Sequence, residues 1–137
     1  MLVLAAATAA LLLLGSGILI AAQAAAFQIT PSRLRTLERE GFRGASALLR
    51  VRESEVSVRA AARMISRFFN FIAFGIVVAL GVDAWQTVIP VVLLMLLGII
   101  AVHLVADVAP HVIAAKNPVR IALGSAPALL LLARWAR

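Results

Sequence analysis

LVLAAATAALLLLGSGILIAAQAAAF, residues 2–27, carries no charge and hardly a polar side chain, and its reading decides the fold. A helix over this stretch, rising about 1.5 Å per residue, outreaches the roughly 30 Å hydrocarbon core of a bilayer. No charged residue occurs before Arg33. A second charge-free stretch, AWQTVIPVVLLMLLGIIAVHLVA over 84–106, separates Asp83 from Asp107. Across the 137 residues, 64% are hydrophobic and 14% charged, with a mean hydropathy of +1.06. Soluble domains carry nearer a quarter charged residues, so the composition implies an all-α integral membrane protein.

From the first span the reading moves outward. The chain opens without a basic segment, which argues against a cleaved secretory signal. Gly15 and Gly17 flank Ser16 in mid-span, small residues that let helices approach closely. Thr30-Pro31-Ser32 closes the apolar run and opens a new helix, with Thr30 suited to an N-cap and Pro31 to the first helical position. Leu34, Leu37, Ala45, Leu48 and Leu49 then fall near helical spacing, interrupted around Gly41 and Gly44 and interleaved with Arg33, Arg35, Arg39, Arg43, Arg50 and Arg52. Two readings fit this basic loop, residues 30–63. One is a broken amphipathic helix lying on the membrane or packed under the bundle; the other is a solvated helical hairpin.

Arg59, Arg63 and Arg67 recur every fourth residue and form one stripe at the start of the second span. The uncharged part, Phe68 to Val82, is too short to cross alone. The expected span is therefore 64–82, with arginine side chains extending to the headgroups. Gly81-Val82-Asp83 and Trp85 are expected to make an interfacial turn before a third span over 84–106. A C-terminal segment, 110–137, contains the apolar stretch Ile121–Ala133 broken by Pro127, expected to be juxtamembrane or re-entrant, the alternative being the start of a fourth span cut off at Arg137. The domain reading is thus one three-span membrane unit over 1–137.

Charge sets the orientation. Nine of the 13 basic residues lie between Arg33 and Arg67, and the other four follow Asp107. The positive-inside rule puts the N-terminus outside and both basic regions, with the C-terminus, in the cytoplasm. The same distribution explains the net charge of +7: basic residues flanking apolar spans meet lipid headgroups, so the bilayer and not nucleic acid is the expected partner. Cysteine is absent, which excludes disulfides and thiolate metal sites.

Two blocks carry a resemblance. Ser32-Arg33-Leu34-Arg35, Leu37-Glu38-Arg39-Glu40-Gly41, Gly44-Ala45 and Ala47-Leu48 resemble the segment after the first helix of the CNNM/CorC family of magnesium transporters, some labelled haemolysins. Ala106-Asp107-Val108-Ala109-Pro110-His111, running into Ala114-Ala115-Lys116-Asn117-Pro118, is similar to that family's G-E-x-x-P-K…A-x-x-N-P motif. The resemblance covers most of the chain. It implies a dimeric domain of three transmembrane helices with a cytoplasmic helical belt, placed in the plasma membrane. The family's domain usually precedes a CBS-domain pair. None follows here, so the chain is expected to be a short member, a truncated product or one half of a split system.

The resemblance also implies an ion site, and this sequence departs from it. The family's S-G-x-E stretch falls on Ile20-Ala21-Ala22-Gln23, so serine and glutamate are lost. Its G-N-N…N pattern falls on Ile65-Ser66-Arg67 and Asn70, where only the last asparagine remains. The glutamate of the third helix becomes Asp107 and the lysine His111. Mg²⁺ favours oxygen ligands in octahedral geometry, so Asn70 and Asp107 are the candidate ligands of a weakened site. Gln23, Arg67, His103 and His111 are candidates to replace or pair with lost ligands, and Arg67 is expected to pair with Asp107.

Each candidate has a plainer reading. Asp107 also suits a helix end in contact with water, and Asn70 a hydrogen bond between helices. His103, Asp107 and His111, at intervals of four, suit a transition metal or proton relay, but membrane histidines more often bond a neighbouring helix. No catalytic constellation and no phosphate loop occurs, so neither an enzyme nor an organic cofactor is expected. Two function classes follow: a divalent cation (Mg²⁺) transport domain acting as a homodimer, or a non-transporting membrane subunit that pairs with or regulates a full-length homologue as a heterodimer.

Overall fold

Thr30 ends one helix and begins the next. Its backbone is extended (φ −66°, ψ 149°), and its hydroxyl accepts a hydrogen bond from the Arg33 amide at 3.4 Å. The computed structural model describes residues 2–85 and 88–135, and no strand occurs among them. In order, α1 spans Leu2–Gln28, α2 Pro31–Arg39, α3 Ala45–Glu53, α4 Glu55–Trp85 and α5 Val88–Val102. A π-helical turn over His103–Val108 leads into α6, Ala109–Lys116, and α7 covers Pro118–Trp135.

The break expected around Gly41 and Gly44 is where the basic loop folds back on itself. Gly41 (φ 79°) ends α2: its amide bonds the Glu38 carbonyl and the Phe42 amide bonds the Leu37 carbonyl, a Schellman closure. Gly44 (φ 94°) then caps α3 from the left-handed region. Leu34, Leu37, Ala45, Leu48 and Val51 are all buried, so these helices are packed under the bundle and are not a solvated hairpin.

Only Ser54 separates α3 from α4, and the Val58 amide bonds the Ser54 carbonyl at 2.9 Å. The second long helix thus starts at Glu55, well before the expected residue 64. It also runs through Gly81 and Val82 to Trp85, where a turn was expected; the side chains of Asp83 and Trp85 lie outside the described residues. Continuation is favoured because nothing from Glu55 to Trp85 breaks a helix except single glycines, which cost little in mid-helix.

Among the described residues, two helices are long and apolar enough to cross a bilayer, Val3–Gln28 and Glu55–Val82. Ile89–Val102 is apolar but shorter. The third segment differs from its expected 84–106 bounds, because the helical backbone does not stop at Pro110. The Ala109 amide reaches back five residues to the Leu104 carbonyl, and this wider turn accommodates the proline, which has no amide to donate. Helix therefore continues through α6 to Lys116.

The C-terminal stretch is likewise one helix and is not broken at Pro127. Ala122, Ala126, Leu129 and Ala133 recur at helical spacing and are all buried against α1 and α3. Pro127 is on the opposite, exposed side. The core gathers at one end of the molecule: Ala22, Ala25, Ala26 and Ile29 of α1 pack with Leu34, Leu48, Val51, Val58, Ala114 and the α7 stripe. Arg52 closes this end by donating to the Ile29 carbonyl just past the end of α1. Away from it, Leu4, Leu11, Leu14, Ile18, Phe71, Leu93 and Leu97 are exposed, as lipid-facing side chains are.

Candidate functional site

The seam between α1 and α4 holds the buried polar groups. On α4, Val58, Ala62, Ser66, Asn70 and Ala73 follow at three- and four-residue steps and form the stripe turned into the bundle. Ser66 and Ser16 of α1 are both buried, and their hydroxyls are 2.5 Å apart. From sequence, Ser16 is only a small packing residue and Ser66 only a position where the resemblance implies a lost asparagine. Its partner lies fifty positions away, so the one available signal was a serine between two glycines in an otherwise apolar span.

That pair fixes the register of the two antiparallel helices, which is repeated where Phe69 packs near Gly15 and Arg59 stacks over Phe27 at 4.6 Å. Gln23 lies two turns from Ser16 toward the packed end of the molecule, and Asn70 one turn from Ser66 away from that end. At about 1.5 Å per residue the two are separated by roughly 16 Å along the axis. Gln23 and Asn70 therefore do not meet. Both are shielded: the Gln23 Oε1 and Asn70 Oδ1 atoms are buried and accept no hydrogen bond. Ile20, between Ser16 and Gln23 on α1, is buried and apolar.

The π-helical turn packs against α1, and Ala109 and Pro110 just beyond it line a small apolar cleft with Leu13, Leu14, Gly17 and Ile18. The backbone carrying Asp107 thus approaches α1 near the level that Asn70 faces from α4. The Asp107 side chain lies outside the described residues, and so does its expected pairing with Arg67. Arg67 itself is exposed on the outer face of α4, with Arg63, Met64 and Phe68. His103 and His111 are exposed on either side of the turn. No group of three His, Cys, Asp or Glu that could hold a metal occurs among the described residues.

At the packed end, Arg59 is held by Glu55 at 2.6 Å as well as by Phe27. It is the one ion pair made by Arg59, Arg63 and Arg67 among the described residues. It is partly exposed, so it orients the side chain more than it stabilises the fold.

Two long apolar helices, crossed by a buried polar seam and underpinned by a packed basic hairpin, define a membrane domain. The family model described as the Cyclin M transmembrane N-terminal domain, CNNM, matches residues 7–136, and the chain belongs to that family. No curated protein matches the chain closely enough to count as a relative.

Proposed function

We propose that the chain is the membrane domain of a divalent cation transport protein, with Mg²⁺ as the ion and Asn70 and Asp107 as the remaining ligands of a reduced site. The observation that carries this reading is the Asn70 Oδ1 atom, a shielded acceptor with no partner on the stripe facing α1. Buried acceptors are rarely left unsatisfied, and a carbonyl oxygen is the kind of ligand Mg²⁺ takes. Family membership supports the metal-transport setting.

In this reading α5, the π-helical turn and α6 together form a third span. The N-terminus is outside, α2 and α3 form the cytoplasmic belt, and the domain works as a dimer in the plasma membrane. Calorimetry on the protein in detergent tests it. Saturable Mg²⁺ binding is expected, weakened about tenfold or more in Asn70→Ala and Asp107→Ala, since each ligand lost from a site of few ligands removes at least one unit of its affinity scale. Absence of binding by the intact chain defeats the reading.

A second reading is a non-transporting subunit that pairs with or regulates a full-length homologue. Ile20 favours it, because a buried apolar side chain stands where the family's hydroxyl ligand would be. An intact chain that binds no Mg²⁺ but co-purifies with a full-length relative supports this alternative.

A further inference from the structure

The outer face of α4 carries a feature that the ion site does not use. An open cavity of about 1060 Å³ lies along it from Ser57 to Phe71 and is closed on one side by Trp135 at the end of α7. Arg63 and Arg67 are one turn apart on this face, and no carboxylate lies within ion-pairing distance of either among the described residues. Met64 lies between them along the helix and Phe68 and Phe71 just beyond, and these three apolar side chains are 70%, 63% and 74% exposed. We propose that this cavity is a binding site for one acidic phospholipid, its phosphate held by Arg63 and Arg67 and its acyl chains lying along Met64, Phe68 and Phe71.

Three features select this occupant. The two charges lie beside exposed apolar side chains in one open groove, the pairing of surfaces that a lipid headgroup and its acyl chains need. The fifteen residues from Ser57 to Phe71 rise roughly 21 Å along the helix, room for a headgroup at the arginines with apolar surface beside and beyond them. Trp135, 75% exposed at the rim, is the amphipathic ring that interfacial positions favour. A second copy fits less well, because a two-fold contact across α4 would bring two such arginine pairs, with no carboxylate partner among the described residues, together between chains of net charge +7. A free anion would gain the arginines but nothing from Met64, Phe68 and Phe71. The site is independent of cation binding at Asn70.

Tryptophan quenching tests the proposal in the full chain. Trp85→Phe leaves Trp135 as the sole tryptophan, and the protein is placed in phosphatidylcholine vesicles with either phosphatidylglycerol or phosphatidylcholine brominated in its acyl chains. Brominated phosphatidylglycerol is expected to reach half-maximal quenching at a mole fraction about tenfold lower than brominated phosphatidylcholine, the order of effect of two arginines at an anionic surface. The preference is expected to vanish in R63Q/R67Q and to survive largely in R63K/R67K. R67Q alone, expected to lose about half of it on a logarithmic scale, carries the test if the double variant elutes as aggregate. Equal quenching by the two lipids overturns the proposal, as does a preference unchanged in R63Q/R67Q or, where that variant aggregates, in R67Q. Preference abolished by inorganic phosphate at constant ionic strength assigns a free anion instead. A Trp135 unquenched by either lipid, with copies cross-linked across α4, assigns the face to a second copy.

Discussion

At Gly44 the φ of 94° would strain any L side chain, and a Cβ there would lie 3.0 Å from the Leu123 carbonyl oxygen and 3.1 Å from the Ala126 Cβ. Leu123 is four residues before Pro127, so its carbonyl has no amide to accept from in its own helix. Gly44→Ala adds a left-handed penalty of about 1–2 kcal/mol to overpacking of about 1–3 kcal/mol against a backbone atom that cannot turn aside. Gly41 has a φ of 79° and open space, so Gly41→Ala is expected to cost only the first of these. Thermal unfolding of the two variants in the same detergent checks the difference. The seam gives a second case: Ser16→Ala and Ser66→Ala are each expected to destabilise, with a coupling of about 0.6–1.7 kcal/mol in the double-mutant cycle. Thr30, Pro31, Gly41 and Gly44 were legible from sequence because their roles depend on immediate neighbours. The Ser16–Ser66 bond and the fit of Gly44 to Leu123 were not, since each depends on which helix comes to lie alongside.

Helix limits follow the same division. Where a cap or a positive-φ glycine stops a helix, as at Thr30 and Gly41, the boundary was legible. Where only a proline suggested a stop, it was not. Pro110 is passed by borrowing a residue into a wider turn, and Pro127 by presenting its ring outward while the alanine stripe stays buried. Of the candidate site, family resemblance offered the residue types, and the depth of each was not legible. It took the register of α1 on α4 to separate Gln23 from Asn70. The end of α1 makes its own prediction. Arg52 donates to the Ile29 carbonyl, placing a positive charge where helix carbonyls are left unpaired. Arg52→Gln is expected to cost about 1.5–3 kcal/mol, the usual worth of a charged hydrogen bond, with Arg52→Lys intermediate. Denaturant unfolding followed by circular dichroism measures both.

Over the whole molecule, the distribution of burial is uneven. Side chains interlock at the end built from the inner part of α1, the two loop helices, the start of α4 and α7, while the outer flanks of the long helices are left to lipid. Composition revealed the membrane class. It did not reveal that the segment around Pro127 belongs to the core, because a short proline-broken stretch has no hydropathy signature that separates packing from lipid contact. That arrangement has a consequence for how the protein is made. The ribosome delivers α1 first and α7 after everything it covers, so Ala22, Ala26 and Leu48 wait unsealed through most of synthesis. A chain ended at Asn117 is expected to insert its long helices normally, yet to be cut by trypsin at Arg35, Arg39 and Arg50 many times faster than the longer chain. Biogenesis would then have a final latch, closed by α7 sliding under helices already seated in the bilayer.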